Sequence, residues 1–509
     1  MASFNTIVKN VASNYVGVMG SIVIAFFLSP YLVHTLGDTG YGVWSIIASL
    51  TAYMSLLDLG VTSAVAKYVS EHRAKNENKS ANEILASAVA LLLVVAIALV
   101  AVSPLIASFI SRTYDFDESY APIVSTLIVI SAIDMALYVL SGVLIGAVSG
   151  LQRYDVLNII RIFIALLKAI LFYVLLTKGY GLVGMAAAAL FTNVLAAIIM
   201  YVFLHRKHKE MSFSFQHANL GTSKKIVAFS KFTFITMVAG QIIYYSDAFV
   251  IGFFMSAAFI TYYSIPWSLS EYTSVLLNSV SNTFMPVFSE LHSSGSKETL
   301  YDTYISATRL MLVLTNLICV GILTVGGDFI GLWMGEKYQE ICTPILIILF
   351  AILIFKGPQT VSLALLQGMA QHSRYSLYNL ILSFVNLALN IMLVQRYGLL
   401  GIAAGTAITQ IFFSAILSPW MTNRLFDKSI IQYYLKTYIQ SIPAALVLYG
   451  VLYALSSRWS PDGYLILFGE AIIASIAYLA ATWFLFLNKN EKSFITNKIR
   501  ERRQAQLST

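Results

Sequence analysis

Two cysteines in 509 residues, Cys319 and Cys342, exclude a disulfide framework and a CxxC metal site on count alone. Charge is also scarce: Asp, Glu, Lys and Arg make up 11% of the chain, against about 25% in ordinary soluble domains. That shortage excludes a soluble globular protein, a disordered chain and a single-span receptor with a large soluble domain. No GxxxxGK[ST] occurs, so no built-in ATPase is expected. HExxH, GxSxG and clustered His or Cys ligands are missing too, and the seven histidines stand at loops or helix ends. Neither an enzymatic role nor a cofactor or metal is expected.

What fills the chain is apolar. Hydrophobic residues make up 58% of the sequence and the mean hydropathy is +0.77. A membrane-spanning helix needs about 20 such residues, so the supply suffices for fourteen. The runs are 11–33, 41–66, 84–110, 121–148, 156–177, 181–204, 226–255, 259–285, 306–333, 341–366, 375–394, 399–420, 438–455 and 463–487. The first is too long for a signal-peptide core and reads as a retained helix. Pro104 and Pro358 fall inside runs, which spanning helices tolerate when neighbours satisfy the freed carbonyl; Lys356-Gly357-Pro358 is expected to break its helix. The longest outer loop runs over 111–120 and the longest inner one over 205–225, too short for a separate catalytic domain.

The net charge of +8 reads as loop anchoring, not as a nucleic-acid partner. Alternate loops carry 25 and 5 of the lysines and arginines, and Lys168 and Lys356 complete the 32 from inside runs. That asymmetry is the positive-inside pattern. It puts both termini in the cytoplasm, as an even helix count requires.

The chain also repeats itself. Ten residues of 44–71 recur at an offset of 219, among them Ser45-Ile46 as Ser264-Ile265, Tyr53 as Tyr272 and Ser70-Glu71 as Ser289-Glu290. Gly181-Leu182 and Gly184 recur as Gly398-Leu399 and Gly401 at 217, and Arg153-Tyr154 as Arg374-Tyr375 at 221. Agreement of offset points to duplication. A six-helix unit repeats with one orientation, the parallel-repeat plan of some transporters. The expected fold is an all-α polytopic membrane protein of fourteen transmembrane helices. It has two six-helix lobes, 1–215 and 216–425, with a two-helix appendage and basic tail over 426–509.

Charge inside the bilayer costs about 2.5–3.5 kcal/mol per residue on insertion scales. Asp58, Asp134, Lys168, Asp247, Glu271 and Lys356 lie well inside runs and are expected to face a wet cavity or each other. Asp58, Asp247 and Glu271 are the candidate ion-coupling acids, because a carboxyl in a low-dielectric cavity can load and release a proton. Lys168 and Lys356 are the mid-membrane cations, and Arg161 and Arg309 lie near the cytoplasmic ends of their runs. Interior ion pairing, above all Lys168 with Asp134, is the plain structural alternative. Tyr262, Tyr263, Trp267 and Tyr272 could contact a sugar, although packing is the simpler role.

The stretches Leu36-Gly37-Asp38-Thr39-Gly40-Tyr41-Gly42-Val43-Trp44-Ser45, Leu56-Leu57-Asp58-Leu59-Gly60-Val61 and Ala66-Lys67-Tyr68-Val69-Ser70-Glu71 resemble the opening of bacterial polysaccharide flippases. So do the Gly150-Leu151-Gln152-Arg153-Tyr154 turn and Gly181-Leu182-Val183-Gly184. These flippases belong to the multidrug/oligosaccharidyl-lipid/polysaccharide exporter superfamily. The resemblance implies a central cavity open to one side at a time. It also implies a polyprenyl-diphosphate-linked oligosaccharide as cargo, carried outward across the bacterial cytoplasmic (inner) membrane for cell-surface polysaccharide such as exopolysaccharide or O-antigen. Membrane lipids and other membrane proteins of polysaccharide assembly would be its partners. The diphosphate would then meet Lys168, Lys356, Arg161 and Arg309. Two rival classes are a cation-coupled small-molecule or drug antiporter of the same superfamily and an integral-membrane enzyme of glycan assembly. The opening motifs fit the first less well, and the short outer loops argue against the second.

Overall fold

The computed structural model describes residues 4–114, 120–293, 295–371, 373–459, 463–488, 491–493 and 496. Among them there is no strand. Hydrocarbon offers the backbone no hydrogen-bond partners, and a helix satisfies its own. Lys489, Lys498, Arg500, Arg502 and Arg503 of the basic tail, and His372, lie outside the described residues.

The chain forms two compact units, Met1–Ser264 and Ile265–Thr509. The first contains α1 (Phe4–Met54), α2 (Val61–Ala74), α3 (Asn78–Thr113), α4 (Ala121–Gly150), α5 (Tyr154–Thr177), α6 (Gly181–Lys207), α7 (Leu220–Phe254) and the start of α8 (Ala257–Asn282). The second holds the rest of α8, then α9 (Met285–Ser293), α10 (Lys297–Met334), α11 (Glu336–Gly368), α12 (Ser373–Ile411), α13 (Ser418–Arg424), α14 (Ile430–Lys436), α15 (Tyr438–Ser456) and α16 (Tyr464–Ala481). The fourteen apolar runs fall mostly on helical backbone; the run 41–66 is broken by the turn at Leu59-Gly60 and the run 259–285 by a turn at 283–284.

Ten helical segments among the described residues are long and apolar enough to cross a bilayer. Two of them, Tyr15–Asp58 and Ser373–Arg424, run to 44 and 52 residues, more than twice the length a single crossing of about 20 residues uses. Each is interrupted by a glycine with left-handed backbone, Gly37 (φ 68°) and Gly398 (φ 57°). Glycine takes this conformation without the Cβ clash that penalises other residues. The helix break expected at Lys356-Gly357-Pro358 is absent: α11 stays helical through Pro344 and Pro358. Buried neighbours surround this stretch, where neighbouring helices can take over the freed carbonyls.

In the first unit α4 packs against α2, α3 and α6, with Val65, Leu85, Leu92, Ala132 and Val143 fully buried. Lipid tails are as apolar as leucine, so close fit and not water exclusion holds such helices together. The fit depends on a stripe on α4, Gly142, Gly146 and Gly150. A methyl added at Gly146 would stand 2.7 Å from the Thr62 carbonyl and 2.8 Å from Val65 Cβ. One added at Gly150 would meet the Ala66 carbonyl at 2.9 Å. The second unit's core joins α10, α11 and α14 through Tyr304, Leu312, Val361, Leu365 and Tyr433.

Element boundaries echo the sequence repeat. α3 and α10 begin at Asn78 and Lys297, and α5 and α12 at Tyr154 and Ser373, each pair 219 residues apart. Left-handed residues recur as Asn76 with Gly295, Gln152 with Ala370, and Gly181 with Gly398. Those offsets are 219, 218 and 217.

Candidate functional site

Two turns of helix separate Arg161 from Lys168 on α5, which puts both on one face about 10 Å apart along the axis. Both line a cavity of about 440 Å³ in the first unit, bounded by α1, α4, α5 and α6. Ser21 of α1, Tyr138 of α4 and Asn193 of α6 add polar atoms to an otherwise apolar wall that includes Ile164 and Phe172. Asn193 Nδ2 also donates to Asp134 Oδ1 at 2.7 Å, and Asp134 is buried. Asp134 and Lys168 attract each other electrostatically, yet no ion pair of 4 Å or less joins them among the described residues. Lys168 is thus balanced by a nearby carboxylate without being consumed by it.

Asp58 sits where α1 gives way to a short 3-10 turn, just before Leu59 (φ 51°) and Gly60 (φ 76°) reverse the chain into α2. It accepts from Thr62 Oγ1 at 2.7 Å and the Thr62 N–H at 3.3 Å. Gly142 of α4 leaves room for this pair, since a methyl there would stand 3.0 Å from Asp58 Oδ1. Tyr138 lies within electrostatic reach of both Asp58 and Arg161, which links this acid to the cavity's cationic lining.

Asp247 is buried in α7 and accepts from Tyr263 Oη at 2.7 Å. Tyr53 lies within its electrostatic reach, and Gln241 Nε2 donates to Ser55 Oγ at 3.1 Å. Asp58 and Asp247 therefore belong to one polar strip around the end of α1. Glu271 belongs to the second unit, where Lys356 attracts it. Tyr262 and Tyr263, weighed as sugar contacts, bond Asp38 Oδ2 (2.6 Å) and Asp247.

Arg309 stands in a different setting. It is 4% exposed, and its guanidinium donates to both Glu491 oxygens (2.8 and 3.3 Å), the Lys436 carbonyl (2.7 Å), Gln440 and the Phe486 carbonyl. These bonds occupy all five N–H donors of an arginine. The expectation that Arg309 meets cargo phosphate is thus set against a guanidinium already committed to holding the C-terminal helices on α10.

Sequence reading passes over two further acids inside apolar runs, Asp328 and Glu470. Gln339 donates to Asp328 at 2.9 Å. Glu470 is 2% exposed, and neither carboxylate oxygen has a hydrogen-bond partner among the described residues. The two acids lie within electrostatic reach of each other. Applying the charge-in-a-run criterion to every helix finds them.

A family model described as polysaccharide biosynthesis protein matches residues 7–292. The chain is 21% identical over 512 residues to the uncharacterized membrane protein EpsK of Bacillus subtilis (strain 168), covering 97% of this chain and 98% of that one. It is 22% identical over 432 residues to the putative O-antigen transporter of Shigella flexneri, covering 82% and 98%. A solved structure of the lipid II flippase MurJ, in an inward closed conformation, matches with a TM-score of 0.71 at 17% identity, covering 94% of this chain and 99% of that one.

Proposed function

The chain belongs to the polysaccharide biosynthesis protein family, and we propose that it is a flippase that carries a polyprenyl-diphosphate-linked oligosaccharide from the inner to the outer face of the cytoplasmic membrane. In this reading fourteen spans form two six-helix lobes, 1–215 and 216–425, with 426–509 appended and both termini cytoplasmic. The observation that carries it is the pairing of Arg161 and Lys168 on one face of α5, inside a cavity of about 440 Å³ among spanning helices.

A diphosphate leaving water needs cations in place of its hydration, and guanidinium and ammonium groups supply charge-assisted hydrogen bonds. Arg161 receives the head group and Lys168 holds it further along the helix. Asp134 competes for Lys168 and so keeps the grip moderate; a site that binds one state too tightly traps its cargo. Lys356 is the corresponding cation of the second unit, with Glu271 as its counter-charge. Arg309 serves the fold and is left out of the cargo set. Asp58, Asp247 and Glu271 couple the movement to an ion gradient by taking up and releasing a proton or Na⁺ as access alternates.

The rival assignment, in which Lys168 only neutralises Asp134, is separated by a double mutant. In a cell whose own flippase is deleted, Lys168→Ala should abolish surface-glycan export and Lys168→Arg keep part of it. Lys168→Ala with Asp134→Ala should remain inactive; restored export by this pair would overturn the phosphate role.

A further inference from the structure

A second cavity, of about 710 Å³, opens in the second unit where the start of α12 meets α13, at the open end of a helical hairpin that turns at Gly398. Its polar lining is Gln371, Ser373, Arg374 and Arg424, with Trp420 and Tyr378 at its sides; among the described residues no carboxylate lines it. Both arginines are exposed, and neither has an ion-pair partner among the described residues. The Arg424 guanidinium lies 5.3 Å from the Trp420 ring centre, which braces it on an aromatic face and leaves its edge donors to the cavity. Two cations facing one cavity repel each other, so the arrangement favours an anionic occupant. Planar guanidiniums match phosphate oxygens in particular.

The walls beside the cavity say where that phosphate is attached. Leu377, Ile381 and Phe384 follow Arg374 on α12 at helical spacing and are 54%, 50% and 54% exposed. Phe412 and Ile416, at 45% and 51% exposed, lead up to Trp420 and Arg424 on the helical return arm of the hairpin. In a bilayer such side chains face acyl tails. Trp and Tyr at the cavity match the amphipathic residues that collect at head-group depth. A soluble phosphate would have no use for these two apolar stripes.

We propose that this cavity binds the phosphodiester head group of an anionic glycerophospholipid, with Arg374 and Arg424 on the phosphate and the acyl chains along the α12 and 412–420 stripes. On the orientation proposed above, this end of the hairpin faces the cytoplasm, where basic pockets between helices take up anionic head groups. The site is separate from the α5 cavity and does not depend on the nature of the cargo.

Native mass spectrometry of the detergent-solubilised protein tests this, with phosphatidylglycerol as probe and phosphatidylcholine of the same acyl chains as control. Arg374→Ala with Arg424→Ala should weaken the tightest phosphatidylglycerol binding at least tenfold, and the double lysine variant should keep part of it. Arg396→Ala, at the far end of the first hairpin arm, should leave it unchanged. In proteoliposomes of the unaltered protein, photoactivatable phosphatidylglycerol should cross-link to peptides spanning 373–384 and 412–424; this readout stands even if the alanine variants fail to fold. Unchanged binding in the double alanine variant, equal binding of phosphatidylcholine, or cross-links that avoid both peptides would each overturn the proposal. Displacement of phosphatidylglycerol by soluble glycerol phosphate would make the site one for free phosphate and overturn the lipid assignment. Displacement by a polyprenyl diphosphate at lower concentration would make it a cargo site and overturn it equally.

Discussion

Arg309 shows how a residue's role escapes a linear reading. Its position near the end of an apolar run resembles that of Arg161, and the sequence treats the two alike. Their surroundings differ: Arg161 is exposed to a cavity, whereas Arg309 is bonded to groups 127 to 182 residues further along the chain. No local pattern encodes such long-range partners. Removing one member of a buried ion pair leaves the other unpaired, at a cost of about 3–5 kcal/mol. Arg309→Ala should therefore lower thermal stability in detergent by that order. Pairing it with Glu491→Gln should recover a substantial part, because the stranded charge is gone. A single variant as stable as the parent protein would show that the clamp does not hold the C-terminal helices. The in-membrane acids are only partly legible too. The sequence marks Asp58 and Asp247 as out of place in apolar runs, but the partners that explain them, Thr62 and Tyr263, emerge only from the folded helices.

At the scale of the helix, much more could be read. Apolar runs locate the helices because in hydrocarbon there is no competing secondary structure open to lipid. The joints between them were less visible. The turns expected near 33–41 and 394–399 are single left-handed glycines, Gly37 and Gly398, within nearly continuous helix. The glycine stripe of α4 is a small-xxx-small pattern, a recognised signature of close helix contact in membranes, and its last member, Gly150, has a counterpart in Gly368 at an offset of 218. Its contact partners on α2 fix a test. Gly146→Leu forces a branched side chain against the Thr62 carbonyl and Val65 and should drive α2 from α4, lowering the yield of folded protein. Gly240→Leu, where an added methyl meets nothing within 4 Å among the described residues, should be tolerated. Fluorescence-detected size-exclusion chromatography distinguishes them, and equal monodisperse yields would mean that the stripe does not set the α2–α4 approach.

For the whole molecule, the 25 to 5 division of basic residues carries the proposed orientation. Single cysteines placed at Ser80 and Ser223 should react only with reagent on the cytoplasmic side, and one at Lys178 only from outside. Cys319 and Cys342 are buried, so native background is low. Outside labelling at Ser223 would break the two-lobe plan, because that residue joins the proposed lobes. Function is legible to a similar depth: the repeat, the spans and the family agree on a transporter fold, while the proposed cargo contacts rest on a few side chains whose surroundings emerge only from the fold. Arg161 and Lys168 are those side chains.

The most direct test is a flipping assay in proteoliposomes with a defined polyprenyl-diphosphate oligosaccharide, comparing the unaltered protein with the Arg161→Ala, Lys168→Ala double variant at matched protein content. The unaltered protein should move the glycolipid to the opposite leaflet well above the protein-free rate, faster with an imposed proton or Na⁺ gradient, and the double variant should fall to the protein-free rate. A double variant that flips the glycolipid as fast as the unaltered protein would contradict the account.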